Sequence, residues 1–400
     1  MTSASSCRAR WHAHRAFSLL EVLIASTLTL VLVALALEFA ATMSLEARRL
    51  EQRGDLAGRA SIASRFLHAT TDSIGYGWSV RQSIGGTDQS TGTFGLANCA
   101  VPSVCPTATT LPLQICEPAT IGQATCAPHS APARTPDALR FFVPRDGIVE
   151  AVRIVDRTGA SLPTDCTIAS ATTFDVRGVN ASSWRAGDLA LVARRGHVSI
   201  VSVAAAFPAG LDPSVTRRLT LLLGNPAALA GDDGGVSAPC SARTSLQGAG
   251  LYRLRLAAIR VHPPTRTLEY ATLDNTADAF AFVPILDDVD DLQVRLDLIR
   301  YGVVGGVIDA AAACFADTEA ALATASGIPS CGSVRLNALS RDGDIVRLIG
   351  LRIAVLLRSR GGVDVQRPVR GLFDRTDTLA VDGRLRRAVH VFVGLPNALL

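Results

Sequence analysis

One acid sits where an acid is costly. Glu21 lies within Phe17–Ala40 (FSLLEVLIASTLTLVLVALALEFA), a run of 24 residues in which Glu38 is the other charge. A carboxylate in hydrocarbon costs about 2.5–3.5 kcal/mol on insertion scales unless it finds a partner, so an intramembrane acid is by default a functional residue. The other residues able to do chemistry are less organised. The nine cysteines, at 7, 99, 105, 116, 126, 166, 240, 314 and 331, include no C-x-x-C pair. The seven histidines, at 12, 14, 68, 129, 197, 262 and 390, include no pair at ligand spacing. Zinc is therefore disfavoured. The acids Asp287, Asp288, Asp290 and Asp291 lack the glycine and terminal glutamate of an EF-hand loop, and they read as a solvated strand edge. No G-x-S-x-G, H-E-x-x-H or phosphate-loop pattern occurs, so the chain is expected not to be an enzyme and to need no cofactor or metal.

The element that must position Glu21 is a helix. Twenty-four residues at 1.5 Å rise cover about 36 Å, enough for a hydrocarbon core of about 30 Å. The run exceeds the apolar core of a cleaved secretory signal, and no clear small-residue cleavage site precedes a polar start. Arginines at 8, 10 and 15 precede it and arginines at 48, 49 and 53 follow, so charge alone does not orient the span. Beyond it, Leu56, Ala60, Ala63, Leu67, Thr70 and Ile74 recur every three or four residues, the stripe of an amphipathic helix. Gly54 and Gly58 each weaken that helix by about 1 kcal/mol relative to alanine. Gly75-Tyr76-Gly77 supplies a stop.

The stretch 78–136 is rich in Thr, Gly, Pro and Ala and carries four of the cysteines. A loop of that length without staples would be unusual. After Pro136, short apolar runs bounded by Gly, Pro or Asp read as strands: 138–143, 149–155, 172–176, 189–193, 197–203, 218–223, 251–261, 267–273, 292–298, 346–358 and 388–393. Pro263-Pro264 marks a hairpin turn. The alanine-rich stretch from Val307 to Ala325 reads as a short helix or an insertion.

Composition limits the alternatives. The chain has 400 residues, is 48% hydrophobic and 18% charged, and so is too apolar to be disordered throughout. A net charge of +4 argues against coating nucleic acid, and an aromatic share of 5% argues against a stacked-ring binding surface. All 39 basic residues are arginine, which carries no functional weight.

The basic leader followed by Ala16-Phe17-Ser18-Leu19-Leu20-Glu21-Val22-Leu23-Ile24-Ala25 resembles the class III signal of type IV pilins and type II secretion pseudopilins. The resemblance implies cleavage between Ala16 and Phe17 by a prepilin peptidase, N-methylation of Phe17, and a role for Glu21 in pairing with the terminal amine of a neighbouring subunit. Ala16 stands where the family usually has glycine. Within that superfamily, Arg65-Phe66-Leu67, Ile74-Gly75-Tyr76-Gly77, Val289-Asp290-Asp291-Leu292-Gln293-Val294, Arg352–Ser359, Arg386-Arg387 and Leu395-Pro396-Asn397 resemble PilW-type minor pilins. Glu38 stands where major pilins often carry a helix-kinking proline. The stretch 85–136 matches nothing in that pattern.

The implied fold class is α+β and type IV pilin-like: a long N-terminal helix, transmembrane then amphipathic, packed on a mainly antiparallel β domain with a Cys-rich insertion. The implied parts are a leader (1–16), a membrane or filament-core helix (17–40), its amphipathic continuation (41–77), the insertion (78–136) and a periplasmic β-rich domain (137–400). The length then reflects one enlarged helix-plus-sheet domain. Removing the leader takes away three arginines and leaves a net charge of +1. It also removes Cys7, leaving Cys99, Cys105, Cys116, Cys126, Cys166, Cys240, Cys314 and Cys331, an even number that favours disulfides in an oxidising periplasm. Sequence neighbours such as Cys99–Cys105, Cys116–Cys126 and Cys314–Cys331 are the expected pairs.

The resemblance implies a minor pilin that helps initiate pilus assembly at or near the tip, in motility, adhesion or DNA uptake. Its partners would be the prepilin peptidase, other minor and major pilins, a pilus-tip adhesin and the inner membrane, with no direct nucleic-acid contact. It would cross the inner membrane once, with its C-terminal domain in the periplasm, before entering the pilus. A minor pseudopilin of a type II secretion system is the alternative.

Overall fold

The computed structural model describes residues 18–74, 97–99, 101, 104, 109–110, 113–122, 135–145, 149–155, 171–178, 181–194, 197–208, 216–222, 250–276, 278–304, 307–316, 345–365, 369–370, 372–373, 378–379 and 382–395. The chain divides into two compact units, 1–54 and 55–400. Helix α1, Leu19–Thr71, contributes to both.

No proline occurs before Pro102, and alanine and leucine dominate the first half of α1. Ser18 begins the helix with a capping box: its Oγ accepts from the Glu21 N–H at 3.2 Å, and Glu21 Oε2 accepts from the Ser18 N–H at 3.0 Å. In the first unit, hydroxyls at Ser26, Thr27, Thr29, Thr42 and Ser44 donate to carbonyls three or four residues back. The few polar groups of this half are thus satisfied within the helix, as an apolar surrounding demands. At the far end, Thr70 and Thr71 donate to the carbonyls of Phe66 and Leu67, and α1 stops at Thr71. It therefore ends before Gly75-Tyr76-Gly77, which lies outside the described residues.

The second unit carries the strands. β1 (Ala97–Cys99), β2 (Thr109–Thr110), β3 (Leu113–Cys116), β4 (Ala138–Pro144), β5 (Val149–Val155), β6 (Ala171–Arg177), β7 (Leu189–Arg194), β8 (His197–Pro208), β9 (Thr216–Leu222), β10 (Gly250–His262), β11 (Thr267–Leu273) and β12 (Val283–Leu286) form one sheet. β10 is its hub: β11 and β4 flank its later part on opposite edges, and β5 and β7 pair with its beginning. β13 (Val289–Val304), β14 (Val307–Ala316), β15 (Ile345–Val365) and β18 (Gly383–Gly394) form a second sheet in the order β14-β13-β15-β18. A short ladder joins β16 (Val369–Arg370) to β17 (Thr378–Leu379). Among the described pairings, β1 with β8 is parallel and the others are antiparallel.

One expectation is corrected. Val307–Ala316 is a strand, not a helix: β14 lies antiparallel along β13 from Leu296↔Ala316 to Val304↔Val307. Alanine favours helix only weakly, and a ladder with β13 outweighs that preference. Parts of the cysteine-rich stretch are also woven into the large sheet, since β3 pairs with β4 from Leu113↔Phe141 to Cys116↔Ala138.

The largest apolar core of the second unit is shared by α1 and both sheets. Leu56, Ala60, Ala63 and Leu67 of α1, with Ile74 just beyond it, share it with Phe141, Leu256 and Ile259 of the large sheet and Leu296, Ile353 and Val391 of the small one. Side chains of β18 alternate buried and exposed from Val389 to Val393, the period-two pattern of a strand with one covered face. Asp137 joins the sheets. Its N–H donates to the Leu292 carbonyl at 2.7 Å and its Oδ2 accepts from the Val294 N–H at 2.7 Å. A second cluster, around Trp184, Val192, Val201 and Leu221, packs apart from the first.

Candidate functional site

The first unit offers an apolar helix surface. Leu19, Leu20, Val22, Leu28, Leu32 and Val33 are about half exposed or more, and at about 100° per residue they point to every side of the helix. This is the described helix long and apolar enough to cross a membrane. A helix that is hydrophobic all round needs a membrane or other helices about it, because water offers it no compensation. Glu21 stands in its first turn, where a carboxylate also complements the positive end of the helix dipole.

The second unit grips its part of α1 by one guanidinium as well as by the apolar stripe. Arg59 is 4% exposed. It donates to the Arg358 carbonyl of β15 at 2.8 Å, to the Asp287 carbonyl in the β12–β13 turn, and to the Asp288 carbonyl at 3.4 Å. Its charge faces Asp55 one helical turn earlier, at 3.6 Å. The planar fork of arginine suits this multi-carbonyl grip better than a lysine ammonium would.

Behind that turn lies an arginine–aspartate network, where the sequence suggested a solvated edge. The Asp290 side chain is 4% exposed and is held by Arg266 at 2.9 Å, Arg386 at 2.7 Å and Arg358 at 3.7 Å. Asp288 receives Arg358 at 3.2 Å and Arg384 at 3.6 Å. Asp382 takes a two-pronged contact from Arg386, both prongs at 3.0 Å. Asp291 is fully buried on β13 and accepts from Gln293 at 3.0 Å. The solvated-edge reading holds for Asp287, which is exposed, and fails for the buried side chains of Asp290 and Asp291. Arginines on β15, β18 and the β10–β11 turn converge on Asp288 and Asp290. No group of His, Cys, Asp and Glu among the described residues could hold a metal ion.

Electrostatics follow this geometry. Burial opposes the charge of Asp382, but the Arg386 hydrogen bonds, the Arg384 N–H and the nearby Arg386 and Arg358 charges outweigh it and hold its carboxyl below the ordinary value. Asp274, contacted by Arg255 at 2.6 Å and Arg145 at 3.0 Å, is held low in the same way against a burial cost. Burial pushes the Tyr270 hydroxyl up, with Arg255 opposing.

The residues singled out from the sequence are not brought together into one site. Ala16 and Phe17 lie outside the described residues, as do Cys105, Cys126, Cys166, Cys240 and Cys331. Cys99 in β1 and Cys116 in β3 are disulfide-bonded. Cys314 falls on β14 opposite Leu298. Sequence reasoning missed Arg59 and the arginine network. A partial signal was present: Arg384 and Arg386 recur at the two-residue spacing that puts side chains on one face of a strand.

No protein-family model matches the chain, and no curated protein matches it. Among solved structures, a type IV-like pilin from Thermus thermophilus aligns at 14% identity over 53% of this chain and 86% of that one, with a TM-score of 0.19. A score that low carries no argument about shared geometry or residue roles.

Proposed function

We propose that this chain is a minor pilin of a type IV pilus, inserted by its N-terminal helix and helping to initiate assembly at or near the tip, in motility, adhesion or DNA uptake. The observation that carries the reading is α1 itself. Its first half is apolar on every side with a glutamate in its first turn, and its second half is part of the core of an antiparallel β domain. Such a chain can be stored in a bilayer and moved into a helical bundle, covering the same apolar surface in both places. The function is structural, not enzymatic.

The leader to Ala16 is removed by a prepilin peptidase and Phe17 becomes the methylated terminus. Glu21 then pairs with the terminal amine of a neighbour, an attraction that is strong at low dielectric. The capping box gives Glu21 an internal partner, the Ser18 N–H, until a neighbour's amine arrives. The β domain faces the periplasm and later the cell surface, and its partners are other minor and major pilins and a tip adhesin. The eight cysteines of the mature chain form disulfides, with Cys99–Cys105, Cys116–Cys126 and Cys314–Cys331 as the leading pairs.

Deleting the gene tests the assignment. Loss of surface pili with normal exoprotein secretion is expected, whereas the opposite result assigns the chain to a type II secretion pseudopilus and sinks the pilus reading. Mass spectrometry of the mature protein should find N-methylated Phe17, and an intact residue 1 in membranes would refute processing. Glu21→Ala should be cleaved normally yet be lost from sheared filaments at least tenfold; normal incorporation overturns the pairing role.

A further inference from the structure

We propose that the face of α1 around Glu38 docks the apolar helix of a different subunit, one that carries a lysine or arginine opposite Glu38. Glu38 is the second acid of the apolar run, and the pairing argued for Glu21 leaves it without a role. It is exposed. Thr42, one turn further along, donates to the Glu38 carbonyl at 2.9 Å, so its hydroxyl is engaged with the backbone. No basic residue occurs between Phe17 and Ala47. The nearest bases further along α1, Arg48 and Arg49, lie about 15 Å along the axis. Arg49 is already held by Glu46 at 2.6 Å. The helix therefore offers Glu38 no cation of its own.

The surroundings of Glu38 decide the kind of partner. Ala34 and Ala41 stand four residues before it and three after it, on the same face of the helix. Small residues at that spacing let another helix approach closely, and the acid then lies at the centre of the approach. Beneath a docked helix the carboxylate faces a low dielectric, where a base is strongly attracted and a second acid strongly repelled. A parallel copy of α1 in register brings Glu38 against Glu38, so this face rejects its own kind and accepts a helix with a base at that level. The proposal rests on the reading of α1 as a helix that packs among other subunits, but its test needs no pilus.

The full chain is reconstituted in lipid bicelles with a fluorescent donor, a genetically encoded amino acid at the exposed position Ile62. The probes are two synthetic peptides of residues 17–53 with an acceptor at the C-terminus, one of native sequence and one with Glu38→Lys. Energy transfer reads their binding at about 0.15 M salt, where charges in water are screened beyond about 8 Å. The Glu38→Lys peptide should bind about tenfold more tightly than the native one, or better. Glu38→Gln in the full chain should abolish that preference, and near-UV circular dichroism should not change because Glu38 is exposed. Equal binding of the two peptides overturns the proposal. Tighter binding of the native peptide also overturns it, and makes a staggered second copy offering Arg48 the occupant of this face. A preference that survives Glu38→Gln overturns it as well, because another acid then reads the base. The gene deletion decides the pilus reading separately, so either can fail alone.

Discussion

The two halves of α1 belong to one continuous helix and solve opposite problems. From Leu19 to about Leu50 leucine, valine and phenylalanine face every direction and are exposed. From Leu56 to Thr71 one stripe (Leu56, Ala60, Ala63 and Leu67) is buried in the core, while Ile62, Arg65 and His68 stay outside. The first half is therefore unfinished without a membrane or other helices, while the second is finished by its own domain. Composition and period both separate them: the first half is apolar all round, and the second interleaves Arg59, Arg65, His68, serines and threonines with a single buried stripe.

The largest test of that contrast is a cavity in each half. Leu67 is fully buried, so Leu67→Ala should destabilise the β domain by about 2–5 kcal/mol in urea unfolding. Leu32→Ala, made in the exposed half, should leave domain stability unchanged. Equal losses at the two positions would show that the halves do not differ as described. A smaller effect is expected at the grip. Arg59→Met keeps the aliphatic stem but leaves the Arg358 and Asp287 carbonyls without their donor, at about 1–3 kcal/mol for each buried group left bare. Arg59→Lys should recover part of that loss, and full recovery would argue against a role for the fork.

Much of this could be read in advance, and the exceptions share a cause. β5 and β11 begin and end where apolar runs meet Gly, Pro or Asp, and the stripe from Leu56 to Leu67 is buried as its spacing implied. These features are local. The strand at Val307–Ala316 was not legible, because its alanines favour a helix until β13 lies beside them. The acids of the β12–β13 turn looked solvated because their partners are distant in sequence: Arg358 lies 70 residues from Asp288, and Arg386 lies 96 from Asp290. Arg59 reaches across more than 200 residues. Contacts of that kind depend on sheet register, which no window of sequence contains. The Glu21 pairing is different again. It is implied by the family resemblance alone, and within the chain Glu21 Oε2 accepts from the Ser18 N–H.

The smallest expected effect lies in the arginine–aspartate network, and its sign follows from linkage. The Asp382 carboxyl is held below its ordinary value of 3.8 because arginine contacts overcome the cost of its burial. A group whose folded value is depressed stabilises the fold fully above the unfolded value and loses that contribution as pH falls through the folded one. Asp382→Asn removes the charge at every pH. Near neutral pH the variant should therefore be less stable than the wild type, by no more than about 1 kcal/mol because the pair is partly solvated. The gap should close in strong acid, where the wild-type carboxyl is also neutral. Urea unfolding across that range checks it, and a gap that stays constant into strong acid would mean that the aspartate acts through its shape and not its charge. Because Arg386 also binds Asp290, the variant does not leave that guanidinium bare, which is why the loss should be smaller than at Arg59. A network in which Arg358 and Arg386 are each shared among acids gives up little for any single acid. A lone buried guanidinium gripping backbone carbonyls has no such reserve, so the helix dock, and not the ionic network, is where this domain is most exposed to a single substitution.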